Sequence, residues 1–170
     1  LATPVVLAPM AGITNAAFRR LCREQGAGLF VSEMVTARAL IERREETFRL
    51  IKPGVGETPR SIQLYAVDPV VLGKAVDLLG SEDLADHVDL NFGCPVPKVT
   101  RRGGGAALPF KRKLFSAIVE SAVKSASKYG IPVTVKMRVG INSDHQTFLE
   151  SARSAADLGV TWVSLHARTA

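Results

Sequence analysis

Cys94 lies between Gly93 and Pro95, neighbours that favour a turn over the interior of a helix or strand, so its thiol is expected to be accessible. Lys98, Arg101 and Arg102 follow closely. A thiol beside cations serves as a nucleophile or as a general acid, and residue chemistry by itself leaves the two open. The same cations suit phosphate groups. Lys136 closes the apolar run Val133-Thr134-Val135, where an ammonium group is costly to bury without a carboxylate partner or an anionic ligand. A salt bridge would satisfy it, but the chemistry of a buried lysine favours a ligand contact. Gln63, Asn91 and His166 end similar runs, and Pro9-Met10 follows another. Taken singly each is unremarkable, and a lone His166 fits a satisfied core histidine as well as a site residue.

Other chemistries find no support. The three histidines and two cysteines are scattered without Cys-x-x-Cys or His-x-x-x-His spacing, so no metal site is expected. His87 and His145 are given no role. Neither a Gly-x-Ser-x-Gly elbow nor a Gly-x-x-x-x-Gly-Lys-Ser/Thr loop occurs. Gly103-Gly104-Gly105 has the backbone freedom to cradle a phosphate, but such a run more often shapes a turn, and it is read here as a shaping loop.

The elements that carry these residues follow from periodicity. Short apolar or β-branched runs alternate with longer helical segments, the pattern of βα units in a parallel sheet. The spacing predicts strands at Val5 to Ala8, Leu29 to Ser32, Ser61 to Leu64, Val88 to Asn91, Val133 to Met137 and Trp162 to His166. Asn15 and Asp68 read as helix N-caps, the latter with Pro69 in the first turn. Phe18, Leu21 and Cys22 fall on one helical face, which predicts a core position for Cys22. Val71, Ala75, Val76 and Leu79 form another apolar face, as do Leu114, Ile118 and Ala122, and Phe148, Ala152 and Ala155. A helix is expected from about Thr36 to Lys52, with a thin apolar stripe and a solvated charged run at 42–46. With this assignment Gln63, Asn91, Lys136 and His166 all sit at carboxyl ends of strands. In a parallel α/β protein that rim is where ligands bind. Six βα steps suit either an open doubly wound sheet or part of a closed barrel, and periodicity cannot choose between them.

The bulk properties are compatible with such a domain. A chain of 170 residues with 46% hydrophobic and 22% charged residues builds one core, and no apolar run approaches the roughly 18 residues of a membrane span. The sequence opens at Leu1 without the basic, apolar and small-residue order of a signal peptide, which leads us to expect a cytoplasmic protein or a piece of one. Lys and Arg number 22 against 16 for Asp and Glu, a surplus compatible with a polyanionic partner and also common without one.

Five stretches in this order carry more than local chemistry: Ala8-Pro9-Met10-Ala11-Gly12-Ile13-Thr14-Asn15, Gln63-Leu64, Asn91-Phe92-Gly93-Cys94-Pro95 through Gly103-Gly104-Gly105-Ala106-Ala107-Leu108, Val135-Lys136-Met137-Arg138, and His166-Ala167-Arg168-Thr169. Together they resemble the tRNA-dihydrouridine synthase family. The Cys94 stretch is the specific one, since Ala-Pro-Met also opens other flavin barrels. The resemblance implies a (β/α)8 barrel of the TIM type that binds FMN, takes electrons from NADPH and reduces the 5,6 double bond of a uridine in tRNA. It implies that Pro9, Met10 and Ala11 line the flavin, that Gln63, Lys136 and His166 bind it, and that Asn91 orients the uracil. It gives Cys94 the role of proton donor to carbon 5, which suits a thiol because thiols ordinarily keep their proton at neutral pH. Lys98, Arg101 and Arg102 become substrate contacts. It also implies that residues 1–170 are the first six βα units of the catalytic barrel, with two strands and a helical tRNA-binding domain lying beyond them, so that this piece alone is expected to be weak or inactive.

Two other readings share some of these features. A different flavin barrel, of the dihydroorotate dehydrogenase or enoate reductase kind, would share Pro9, Met10 and Lys136 but not the Cys94 stretch with its basic tail. An inactive RNA-binding barrel fragment would account for the charge without any chemistry.

Overall fold

The computed structural model describes residue 1 and residues 3–170. Its strands are β1 (Val6–Leu7), β2 (Leu29–Phe30), β3 (Val35–Thr36), β4 (Ser61–Tyr65), β5 (His87–Phe92), β6 (Val133–Gly140) and β7 (Trp162–Thr169). Every pairing between them is parallel, with β1 beside β2 and then β3-β4-β5-β6-β7 in order. A parallel bridge from Val31 to Ser61 joins the two groups, so β2 and β3 act as successive parts of one interrupted strand beside β4. The six expected strands are therefore present, and β3 is an additional short strand that takes in Thr36, expected as the start of a helix.

Helices α1 (Ala16–Glu24), α2 (Ala37–Ile41), α3 (Glu45–Ile51), α4 (Pro69–Ser81), α5 (Pro97–Thr100), α6 (Arg112–Ser127) and α7 (Phe148–Asp157) fill the connections. Asn15 caps α1 by accepting from the Phe18 amide at 3.1 Å, and Asp68 caps α4 by accepting from the amides of Val70 and Val71. Among the described residues no helix is long and apolar enough to cross a membrane.

Strand alternation sorts the side chains into two chemistries. Ile62, Leu64, Val88, Leu90, Val133 and Val135 are buried with Leu72, Val76 and Leu79 of α4 and Ile118 and Ala122 of α6 in the apolar core. Each large side chain buried there contributes about 1.5–3 kcal/mol. The alternate positions are polar: Ser61 and Gln63 on β4, His87, Asp89 and Asn91 on β5, Thr134 and Lys136 on β6. All of them except Lys136 hydrogen-bond to one another across neighbouring strands. The sheet thus has an apolar face under the helices and a polar face that builds the site.

Two helical expectations need correction. The segment from Thr36 to Lys52 forms α2 and α3 instead of one helix, because Arg43 takes a left-handed backbone conformation (φ 54) and pairs with Glu82. On α1 the buried residue is Arg19, while Leu21 is 53% exposed and Cys22 only partly buried. Arg19 can be buried because Glu57 meets it with two hydrogen bonds, and the carbonyls of Thr14 and Lys52 accept two of its three other protons.

Candidate active site at the carboxyl rim of the sheet

A cleft of about 530 Å³ opens at the carboxyl ends of the strands, within the range of small-molecule sites. Pro9, Met10, Ala11, Gln63, Asn91, Cys94, Lys136 and His166 all line it. Residues from four strands and two loops therefore converge as the rim assignment requires. Met34, Arg138 and Leu165 line it as well. Pro9, Met10, Ala11 and Met34 give it apolar surface, whereas Gln63, Lys136 and His166 contribute its polar groups.

The three cations after Cys94 are placed elsewhere. Lys98 lies on α5, and Lys98, Arg101 and Arg102 are all exposed. Arg102 lines a neighbouring cleft of about 350 Å³ together with Arg38, Arg44 and Tyr65. None of the three reaches the Cys94 cleft.

Cys94 sits on a turn locked from several sides. Its amide and that of Gly93 donate to Asn91 Oδ1 at 2.9 and 3.2 Å, and its carbonyl accepts from the Ala106 amide at 3.0 Å. Arg138 Nε donates to the Gly93 carbonyl at 2.9 Å. The glycine run has the shaping role expected of it. A Cβ on Gly104 would lie 2.3 Å from the Tyr65 ring, and one on Gly105 would lie 2.4 Å from the Cys94 carbonyl oxygen. The second also has a left-handed backbone (φ 54), so only glycine fits without strain.

Burial governs the charges. Asp89 is 3% exposed, and its burial pushes its carboxyl above the ordinary range despite hydrogen bonds from Thr134 and Gln63. Burial likewise lowers Lys136, with the nearby Asp89 opposing that shift and Arg138 adding to it. Among the described residues Lys136 Nζ has neither a hydrogen bond nor a salt bridge. A partly buried ammonium without a protein partner beside a cleft is matched by an electron-rich ligand edge. His166 is held below its usual range by burial and by Arg138, Lys136 and Arg168. His87 is buried and lowered to about 4, so it is neutral at physiological pH.

Arg138 is the functional candidate that spacing alone could have found. It lies two residues after Lys136 on the same strand face, and it braces the Cys94 turn. Met34 gave no such signal, because it lies in the break between β2 and β3.

Fold and site together define an α/β protein with a parallel sheet whose carboxyl rim holds one thiol, one unsatisfied lysine and an apolar wall around a ligand-sized cleft. The family model described as "Dihydrouridine synthase (Dus)" matches residues 6–170, and the chain belongs to that family. It is 58% identical over 177 residues to a "Probable tRNA-dihydrouridine synthase" of Mycobacterium tuberculosis (strain ATCC 25618 / H37Rv), covering 100% of this chain and 46% of that protein. Identity is 49% over 191 residues to the Mycobacterium leprae (strain TN) protein of the same description, covering 97% of this chain and 50% of that one. It is 39% over 166 residues to "tRNA-dihydrouridine synthase B" of Pseudomonas aeruginosa, covering 97% and 48%. The chain spans about half the length of the curated relatives it matches.

Proposed function

We propose that the protein reduces the 5,6 double bond of a uridine in tRNA, with Cys94 delivering the proton to carbon 5. The observation that carries this reading is the convergence of Cys94, Asn91, Lys136 and His166 on one cleft in a chain of this family. The sheet would be the first six βα units of a TIM-type (β/α)8 barrel, a reading supported by the strand order and by the site at the carboxyl rim.

FMN suits the residues present. The cleft has an apolar wall at Pro9, Met10, Ala11 and Met34 for a flat ring and polar groups at Gln63, Lys136 and His166 for its heteroatoms. The unsatisfied Lys136 ammonium would gain a partner, and a cation there favours negative charge on a bound ring. When bound, FMN reduced by NADPH supplies the hydride that adds to carbon 6 of the uracil.

The chain's own residues do the rest. Asn91 holds the Cys94 turn and stands where it can orient the uracil. Charge left on carbon 5 and its adjacent carbonyl after hydride addition needs an acid, and the Cys94 Sγ–H is the donor at the cleft. The target base must leave its stack to enter the cleft. Arg102 and its exposed neighbours Lys98 and Arg101 lie outside it, where they suit the flanking phosphates.

The full-length protein is expected to purify with flavin absorbance and, given NADPH and unmodified tRNA, to form dihydrouridine. Flavin binding with reduction of a small enone or of an orotate-type substrate, but none of tRNA, would favour a different flavin oxidoreductase. No flavin with retained RNA affinity would favour a binding fragment.

A further inference from the structure

One buried carboxylate is left over by this chemistry. Asp89 lies beneath the cleft, and strand register places it beside Gln63 on one side and Thr134 on the other. Gln63 Nε2 donates to Asp89 Oδ2 at 2.7 Å, and Thr134 Oγ1 donates to Asp89 Oδ1 at 2.6 Å. The other end of the Gln63 amide, Oε1, accepts from Asn91 Nδ2 at 2.8 Å. Asn91 Oδ1 then accepts from the amides of Gly93 and Cys94. Gln63 and Asp89 are 1% and 3% exposed, so water has little access to the bonds that join Asp89 to Gln63 and Thr134, while those made by Asn91 are part-buried.

An amide presents a donor at one end and an acceptor at the other, so its orientation carries information. The ionised carboxylate, the form that the bonds from Thr134 and Gln63 and the nearby Lys136 favour against burial, can only accept. Asp89 therefore demands the NH2 of Gln63, which leaves the Gln63 oxygen facing Asn91. That oxygen demands the NH2 of Asn91, which turns the Asn91 oxygen towards two backbone N–H groups that can only donate. The chain is consistent from both ends, and reversing any one member would set donor against donor or acceptor against acceptor.

We propose that Asp89 is the positioning residue of the Cys94 turn, acting through the amide orientations of Gln63 and Asn91. It does not line the Cys94 cleft. The relay itself stands on these hydrogen bonds, and its bearing on proton delivery rests on the reading of Cys94 as the acid.

A charge exchange in the full-length protein tests it. In Asn91→Asp the new carboxylate faces the Gln63 oxygen, which Asp89 prevents from turning away. In Asp89→Asn the introduced amide can still offer its oxygen to Gln63. In the double variant Gln63 can reverse, its oxygen accepting a hydrogen bond from the amide at 89 and its NH2 donating one to the carboxylate at 91, which still accepts from the amides of Gly93 and Cys94. The readout is alkylation of Cys94 by iodoacetamide, resolved by peptide mass spectrometry and taken at the high-pH plateau, where the thiol is fully ionised and the ordering of the turn around the cleft-lining Sγ, not protonation, distinguishes the variants. Asn91→Asp is expected to raise that rate about five- to thirtyfold, the effect of one buried polar conflict. Adding Asp89→Asn is expected to return it to within about twofold of wild type. An unchanged rate in Asn91→Asp, or a double variant as fast as that single variant, overturns the relay. If Asn91→Asp yields no soluble protein, recovery of soluble protein in the double variant is the supporting result and its failure the overturning one. Alkylation needs neither flavin nor tRNA, so the outcome is independent of whether Cys94 protonates uridine.

Discussion

Burial holds both Lys136 and His87 towards their neutral forms, with different consequences. Replacing Lys136 with Met removes an ammonium that is partly desolvated and unpartnered, so the folded protein should lose no stability. A bound flavin would lose a charge-assisted contact, and its dissociation constant should rise about tenfold or more. Thermal midpoint and flavin titration on the same preparation check the two directions. For His87 the folded value of about 4 lies below the ordinary 6.5. Between those values the unfolded chain binds the extra proton, so this contribution to stability is complete above pH 6.5 and is lost as pH falls towards 4. A shift of this size corresponds to about 3 kcal/mol. Denaturation at pH 7 and pH 4.5 should show a smaller acid loss in His87→Gln than in wild type, since Asp89 and the surface carboxylates are common to both. The rim residues were legible because polar side chains closing apolar strands are unusual. His87 was not, because its neighbours Ser61 and Thr134 lie on other strands.

At the level of elements, α1 is fastened to the segment before β4 by the buried Arg19–Glu57 pair, side chains 1% and 6% exposed. Glu57→Gln leaves the guanidinium charge uncompensated, and calorimetry should register a loss of about 3–5 kcal/mol. The loop from Gly103 to Gly105 is equally exacting. Gly105→Ala forces a side chain into a left-handed backbone and against the Cys94 carbonyl, so it should loosen the Cys94 turn and lower the thermal midpoint. Local signals predicted the caps of α1 and α4 and the inward faces of α4 and α6, because those depend on residues a few positions apart. They failed where distant residues decide. Arg19 reads as surface until Glu57 is brought to it, and the charged run 42–46 reads as one helix until Glu82 stabilises a turn at Arg43.

For the whole molecule, β1 and β7 are the edge strands of the sheet among the described residues. β7 spans Trp162–Thr169 and leaves one row of backbone groups without a strand partner. Residues 1–170 expressed alone should therefore self-associate, and light scattering after size exclusion should find species larger than a monomer. A stable monomer would mean that the edges are covered locally. Parallel order and the site rim were readable from the sequence, whereas closure into a barrel was not, because βα periodicity is the same in open and closed sheets. Proton delivery in the proposed reaction rests on Cys94. Its most direct test compares wild-type and Cys94→Ala full-length protein in two separate steps, anaerobic reduction of bound flavin by NADPH and formation of dihydrouridine in unmodified tRNA. Flavin reduction should be unchanged while dihydrouridine formation falls about 10²- to 10⁴-fold, the contribution of a general acid. Equal dihydrouridine formation by the two proteins would contradict the assignment.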